Sequence, residues 1–413
     1  MSVKVAFVIP WYGEDIPGGA EALCRALVKC LLESGVQVEV LTTCVKQFAS
    51  DWSHDFHPEG ETIEGGVVVR RFRTRSRDAA KFDTVNSKLM QNQNVTPDEE
   101  LTFMTEMASS PALCEFIAAH RQEYVFLFLP YMFGTTYWGI RTCPERSILI
   151  PCLHDESYAR MNLIRQMAES ARGLVFNSAA EKRLAERLYK LDSDRLAMLG
   201  APVNCGWSAD PQRFRRKYGL SNFFLYAGRT EKGKGADTLV DYFCRYLEET
   251  GRAEQLVFIG GGELDVPAKY RSRIAKLGFV PTQDKYDAYA ASIALCVPSV
   301  MESLSIVTME SWLAGRPVVV NARCAVTSDF CRQSNGGLYF ADYQEFREIL
   351  KLLAQDQAKD QELCRGLGAN GRQFVLDNFQ PEIVAARYRE TLERWGFDLS
   401  PLPAVPGGST GPT

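Results

Sequence analysis

Residues 222–235 read Asn222-Phe223-Phe224-Leu225-Tyr226-Ala227-Gly228-Arg229-Thr230-Glu231-Lys232-Gly233-Lys234-Gly235. A short apolar and aromatic run ends at a glycine, as a buried strand does. A glycine-bounded turn with cationic side chains follows, and Lys234 to Glu249 is predicted to be a helix. Strand, glycine loop and helix in that order put free amides and a positive helix end beside cations, an arrangement suited to phosphate. The loop nearly matches the P-loop pattern G-x-x-x-x-G-K-[ST], but Gly235 stands where Ser or Thr would ligate Mg²⁺.

The alternation continues outward from this stretch. Downstream, Leu256–Ile259, Ile293–Val297 and Pro317–Val320 read as strands, with helices over Asp284–Ala291 and Ser305–Leu313. Upstream, strands are predicted at Val3–Pro10, Val36–Thr42, Tyr124–Leu129, Ser147–Leu153 and Gly173–Phe176, with helices over Glu21–Ser34 and Glu181–Lys190. Strand-helix alternation implies parallel sheets with helices on both faces. The chain therefore divides into two similar Rossmann-like α/β domains, 1–198 and 199–379, joined near Leu199 to Trp207. An amphipathic helix over Pro381–Trp395 lies within a segment, 380–397, expected to complete the first domain, and the Pro/Gly/Ser/Thr-rich tail 398–413 is expected to be disordered. Ligands of such sheets sit beyond the carboxyl ends of the strands, here in a cleft between the domains.

Composition narrows the function classes. With 413 residues the chain is too long for one comfortable core, and a net charge of -4 disfavours a nucleic-acid partner. Twelve cysteines without a C-x-x-C pair and four scattered histidines give no metal-site spacing. Most of these cysteines sit in apolar runs and read as buried, reduced thiols, which places the protein in the cytoplasm. No signal peptide is visible. The most apolar window, Tyr124–Ile140, holds Pro130 and Gly134 and reads as a strand and loop rather than a membrane span.

Other stretches add chemistry. Pro298–Glu310 follows a predicted strand and carries Glu302 and Glu310 eight residues apart, with a helix starting between them. Amides near Leu304 to Ile306 can cradle an anion. Glu310 faces inward from an otherwise apolar helix, so it needs donors, and ribose or sugar hydroxyls are suitable. Pro17-Gly18-Gly19-Ala20-Glu21 is a second glycine loop between strand and helix, and His154 ends a predicted strand. In Val67–Asp78, strand spacing would put Arg71, Arg73, Arg75 and Arg77 on one face, either as a solvated edge or as a patch for an anionic membrane surface or lipid diphosphate.

Taken together these residues resemble the retaining glycosyltransferases of family four, which have the GT-B fold of two Rossmann-like domains facing a central cleft. The resemblance rests on the paired Glu302 and Glu310, on Arg229 followed by Lys234-Gly235, on the Gly260-Gly261-Gly262-Glu263 turn and on the Gly18-Gly19-Ala20-Glu21 loop. Segments such as Thr42-Thr43-Cys44, Val69-Arg70-Arg71-Phe72 and Ser334-Asn335-Gly336-Gly337-Leu338 look like a bacterial surface-polysaccharide or lipopolysaccharide branch. The resemblance implies a hexosyltransferase using a nucleotide-diphosphate sugar and no metal, with a glycan or lipid-linked glycan acceptor. It gives Arg229 and Lys234 to the diphosphate, Glu310 to the ribose, and Glu302 with Leu304 and Ser305 to the sugar and phosphate. His154 would lie near the transferred sugar, with Gly18, Gly19, Glu21, Gly261 and Ser303 as further substrate contacts. Ser303 and Ser305 stand where the family often has glycines. A nucleotide-sugar epimerase, a P-loop-like NTPase and a non-catalytic sugar-nucleotide-binding scaffold stay open as alternatives.

Overall fold

The computed structural model describes residues 2–230 and 232–400. Two compact units divide the chain. The first holds the described residues up to Phe176, then Leu184–Pro202, then the described residues from Val384 on. The second holds Asn177–Arg183 and Val203–Ile383.

In the first unit, β1 (Lys4–Val8), α1 (Gly19–Glu33) and β2 (Val38–Thr43) form the opening strand-helix-strand. A hairpin of β3 (Gly60–Glu64) and β4 (Val67–Phe72) follows. Its two-residue turn is Gly65-Gly66, both at positive φ (57° and 82°), the conformation a tight hairpin needs and glycine adopts without strain. Then come α2 (Ala79–Met90), α3 (Pro97–Glu106), α4 (Pro111–Ala119), β5 (Tyr124–Phe128) and α5 (Gly134–Thr142). After these come β6 (Ser147–Leu149), α6 (Asn162–Ser170), β7 (Gly173–Phe176), α7 (Ala179–Leu188) and β8 (Leu196–Met198). The sheet order is β3-β4-β2-β1-β5-β6-β7-β8, parallel except for the β3/β4 hairpin. The order reverses between β1 and β5, so the loop after β1 opens at the switch point.

The second unit runs α8 (Pro211–Tyr218), β9 (Phe223–Ala227), α9 (Ala236–Thr250), β10 (Gln255–Ile259), β11 (Ile274–Gly278), α10 (Thr282–Ala291) and β12 (Leu295–Val297). It continues with α11 (Ile306–Leu313), β13 (Val318–Asn321), α12 (Ala325–Ser334), β14 (Gly337–Phe340), α13 (Tyr343–Ala358) and α14 (Glu362–Asn378). The all-parallel order is β11-β10-β9-β12-β13-β14, with its switch point between β9 and β12. The loops beginning at Gly228 and Pro298 both open there.

The last helix, α15 (Pro381–Arg394), leads into the first unit's packing. Trp395 donates its indole N–H to the Asp194 carbonyl at 2.9 Å, and its ring lies so close to Gly173 that a Cβ there would sit 2.7 Å away. Of the tail expected to be disordered, residues 401–413 lie outside the described residues. Asp398 is ordered: its carbonyl accepts the Val3 amide at 2.8 Å, and Leu399 is buried.

The apolar window at Tyr124–Ile140 is strand β5 followed by helix α5 rather than strand and loop. Among the described residues no helix is long and apolar enough to cross a membrane. Nine of the twelve cysteines are buried, and burial raises the thiols of Cys44, to about 11, and Cys331, to about 12.

The arginine face does not form. Strand β4 ends at Phe72, and within it Val67, Val69 and Arg71 point into the protein while Val68, Arg70 and Phe72 are half-buried. Arg71 donates to both Glu64 carboxylate oxygens (2.6 and 3.1 Å), to Thr62 and to the Tyr12 carbonyl. Arg73 pairs with Glu59 at 3.1 Å, and Arg75 with Glu106 at 3.3 Å and the Thr105 carbonyl at 2.8 Å. The Arg77 guanidinium lies 4.6 Å from the ring centroids of both Trp52 and Phe82. Each of these arginines already has a carboxylate, carbonyl or aromatic-ring partner within the chain.

Candidate functional site

The second unit's site is built from the loops at its switch point. The Gly228 amide donates to the Ile259 carbonyl (2.9 Å), Gly260 to Gly278 (2.8 Å) and Thr230 to Gly261 (2.9 Å), so the loops after β9, β10 and β11 are stitched edge to edge. Glycine is required by contact: a Cβ on Gly260 would lie 2.1 Å from the Gly228 carbonyl oxygen, and one on Gly261 2.5 Å from the Phe279 ring. Gly261, expected to contact substrate, thus lies beneath Phe279. That ring is 83% exposed, an aromatic face at the carboxyl ends of β10 and β11 that sequence reading passed over.

Gly235 caps α9 in the left-handed conformation (φ 71°), and a Cβ there would stand 2.9 Å from the Pro298 carbonyl oxygen. The near match to a P-loop fails on shape as well as on the missing hydroxyl, because no β-carbon fits without moving the loop after β12. The Tyr226 hydroxyl holds the Arg229 carbonyl at 2.6 Å, and the Arg229 side chain is exposed.

Lys234 reaches across the switch point to Glu302 at 2.9 Å. Glu302 lies in the Pro298–Ser305 loop; Ser303 and Leu304 complete the approach to α11, and Leu304 is buried. Ser305 caps α11 in a left-handed conformation (φ 67°) and bonds Thr308 at 3.0 Å through its hydroxyl. It holds a shape that glycine adopts more cheaply, which accounts for the backbone following a glycine-rich course without the glycine. Helix α11 begins at Ile306, four residues after Glu302, and in its first turn the Thr308 amide donates to the Ser305 carbonyl at 3.1 Å.

Glu310, one turn into α11, is 7% exposed. Its burial does not wait for a ligand: Oε1 accepts from Lys285 at 2.6 Å and Oε2 from the Tyr289 hydroxyl at 2.8 Å. Both donors sit on α10 and were not singled out by sequence. Burial first, then the Glu310 charge, pushes the Tyr286 hydroxyl up to about 12, and raises Tyr289 well above its ordinary value for the same two reasons. A cavity of about 270 Å³ adjoins the glycine loop, lined in part by Gly233, Gly235, Met301, Asn321 and Arg323.

In the first unit, Gly18 caps α1 at φ 145°. The Glu21 carboxylate folds over it, 1.9 Å from where a Cβ would be, and accepts the Trp11 indole N–H at 2.5 Å. Glu21 thereby lays its own negative charge at the start of α1, where Gly18 and Gly19 were expected to meet phosphate. His154 follows β6, half-exposed, with Nδ1 3.7 Å from the Glu156 carboxylate, which itself accepts from Tyr131 at 2.9 Å. Among the described residues no cluster of three or more His, Cys, Asp or Glu side chains could hold a metal ion.

Residues 221–356 match the family model of group 1 glycosyl transferases. The D-inositol 3-phosphate glycosyltransferase of Acidothermus cellulolyticus is 29% identical over 242 residues, 53% of each chain. An uncharacterised glycosyltransferase of Methanocaldococcus jannaschii is 29% identical over 344 residues, 78% of this chain and 80% of the relative. The chain spans about half the length of the inositol-phosphate relative. Among solved structures, sucrose-phosphate synthase from Thermosynechococcus elongatus superposes with TM-score 0.70 at 16% identity, covering 95% of this chain and 98% of its own. The Anabaena protein HepE in complex with UDP and glucose gives TM-score 0.63 at 15% identity, covering 95% and 99%. These structures share the fold, two Rossmann-like α/β domains of the GT-B type.

Proposed function

We propose that the chain is a retaining glycosyltransferase moving a hexose-type sugar from a nucleotide-diphosphate sugar to a glycan or lipid-linked glycan. One observation carries this reading. At the second unit's switch point, a glycine loop and two lysine-carboxylate pairs, Lys234–Glu302 and Lys285–Glu310, sit on adjoining elements. A nucleotide sugar has matching parts: a diphosphate for cations and amides, and hydroxyls for carboxylates. The HepE structure with UDP and glucose and the glycosyltransferase relatives support the same donor class.

The chemistry follows from charge. Breaking the glycosidic bond leaves negative charge on the departing diphosphate, and groups that stabilise it most in the transition state accelerate the step. Lys234 and Arg229 supply cations, and the start of α11 supplies amides. One cation about 4 Å away contributes roughly 4 kcal/mol at an effective dielectric of ~20, before desolvation. As the diphosphate takes Lys234, Glu302 is released from its ion pair and becomes an acceptor for sugar hydroxyls. The departing phosphate helps deprotonate the acceptor hydroxyl, and configuration is retained. Cations in this role make a metal unnecessary. Gly18, Gly19, Glu21 and His154 line the carboxyl edge of the first unit's sheet as its substrate-side groups.

The likeness of Thr42–Cys44 and Ser334–Leu338 to a surface-polysaccharide branch supports a cytoplasmic role in polysaccharide assembly. The test is a panel of nucleotide sugars. The true donor should raise stability by ~2.7 kcal/mol at a hundredfold excess over its dissociation constant. With acceptor glycans it should yield a glycoside. Donor converted to its epimer with no glycoside formed would defeat the proposal in favour of an epimerase.

A further inference from the structure

The geometry points to Lys285 as a positioning residue of the nucleotide site: it fixes the Glu310 carboxylate so that the site recognises a ribose diol. This rests on the reading of the second unit as a nucleotide-sugar site.

A buried carboxylate is costly unless paired and hydrogen-bonded. Glu310 is paired in a divided way, with Lys285 on one oxygen and Tyr289 on the other. A carboxylate has about four lone-pair positions, so one donor on each oxygen leaves each oxygen with room for another. Two neighbouring hydroxyls, spaced like the two carboxylate oxygens, fill that remainder. A single phosphate or amide does not.

The fold holds both donors rigidly. Lys285 and Tyr289 are four residues apart and share one face of α10, turned toward α11. Elsewhere on α10, Asp284 and Asp287 fix it to α8: Asp284 accepts from Lys217 (2.5 Å) and Tyr218 (2.7 Å), and Asp287 from Arg213 (2.7 Å). The Lys285 ammonium also lies 5.1 Å from the Tyr286 ring, which stacks on Trp207 at 4.0 Å with planes 4° apart. Its side chain is only 29% exposed. A lysine bounded by a carboxylate, an aromatic pair and an anchored helix is placed for orientation. Lys234 differs, because its loop position suits it to exchange Glu302 for phosphate.

The experiment measures affinity for UDP, GDP and ADP, and for the 2′,3′-dideoxy form of whichever binds best. Wild type should prefer the ribose form by about a hundredfold, since two hydrogen bonds to a charged group are at stake. Lys285→Met should bring the two forms within about threefold by weakening the ribose form alone, and Lys285→Arg should restore most of the preference. In turnover, Lys285→Met should raise donor KM and leave kcat nearly unchanged. A Lys285→Met protein that keeps the preference overturns the inference. If that variant fails to fold, Lys285→Met combined with Glu310→Gln leaves no unpaired charge and should add no loss beyond Glu310→Gln; a further loss means that Lys285 touches the ligand itself and overturns the positioning role. Wild type binding both forms equally overturns the ribose assignment together with this inference, while the donor reading stands. Wild type binding no nucleoside diphosphate defeats the donor reading and the inference together.

Discussion

At the scale of single residues, the site is a set of charges already paired before any ligand arrives. Lys234 is held by Glu302, Glu310 by Lys285 and Tyr289, and Glu21 by Trp11. In the proposed mechanism the donor exchanges partners with Lys234 rather than filling a vacancy, so the two glutamates should respond differently to mutation. On the proposed role of Glu302 against the reacting sugar, Glu302→Gln should lower kcat. Glu310→Gln cannot accept two ribose hydrogen bonds as a charged group and should mainly raise donor KM. Steady-state kinetics check this, and equal effects on kcat and KM from both would undo the division. Arg229→Ala and Lys234→Ala should each lower turnover by ~10²-fold, as loss of a transition-state donor does. Both lie on a ligand-facing loop, so their melting temperatures should stay near wild type. Turnover within about threefold of wild type for both variants would refute the diphosphate role.

At the scale of elements, backbone shape decides what substitution can do. Gly235→Ser would complete a P-loop pattern, yet at φ 71° and against the Pro298 carbonyl it should destabilise the β9–α9 turn. The left-handed backbone alone costs ~1–2 kcal/mol for a residue with a Cβ. The expected outcome is a lower melting temperature and no gain of ATP hydrolysis; ATPase activity in this variant would revive the NTPase reading. Strands β1, β2, β4 and β5 are tied together by Glu39, which accepts from Lys4 (2.8 Å), Arg70 (2.9 Å) and Tyr124 (3.0 Å). Burial alone would raise the Glu39 carboxyl, but hydrogen bonds from Lys4 and Arg70 outweigh it and hold it below its ordinary value. A depressed carboxyl contributes stability above its unfolded value, about 4.3, and loses it as pH falls through the folded value. Thermal melts from pH 7 toward pH 3 should show wild type falling steeply. Glu39→Gln should start lower, by about 2 kcal/mol at neutral pH, and fall less. Parallel curves would mean that other carboxylates govern acid unfolding.

At the scale of the whole molecule, the two units carry separate sheets whose switch points place their glycine loops. With cations in the diphosphate role, EDTA should leave transfer activity largely intact; complete loss restored by Mg²⁺ or Mn²⁺ would defeat the metal-free mechanism. The internal pairing of Arg71, Arg73 and Arg75 makes a prediction opposite to the membrane-patch reading. Anionic vesicles should not retain the chain through these residues at physiological salt. Replacing Arg71 with serine should instead lower the melting temperature, because Glu64 and the Tyr12 carbonyl lose their donor. Salt-sensitive sedimentation that vanishes in Arg73→Ser and Arg75→Ser variants of unchanged stability would restore the patch.

The strand-helix order and the loops at Gly18, Gly228 and Pro298 were legible in the sequence. Central parallel strands such as β1, β5 and β9 are buried on both faces and write themselves as unbroken apolar runs. The strands that sequence reading passed over, β3, β8, β11 and β14, lie at sheet edges, where one face or both stay partly in water and the apolar run dissolves. Glu302 and Glu310 could be named from spacing, but their partners could not. Lys234 and Glu302 stand 68 residues apart, and Lys285 and Glu310 25 apart, on elements that only sheet order and helix packing bring together. The arginines at and beyond the end of β4 show the same limit. Alternation says which side chains share a face, but whether that face meets water or Glu64, Glu106 and the aromatic rings is settled by the tertiary fold, since burial and long-range charge pairing have no local signature in the chain.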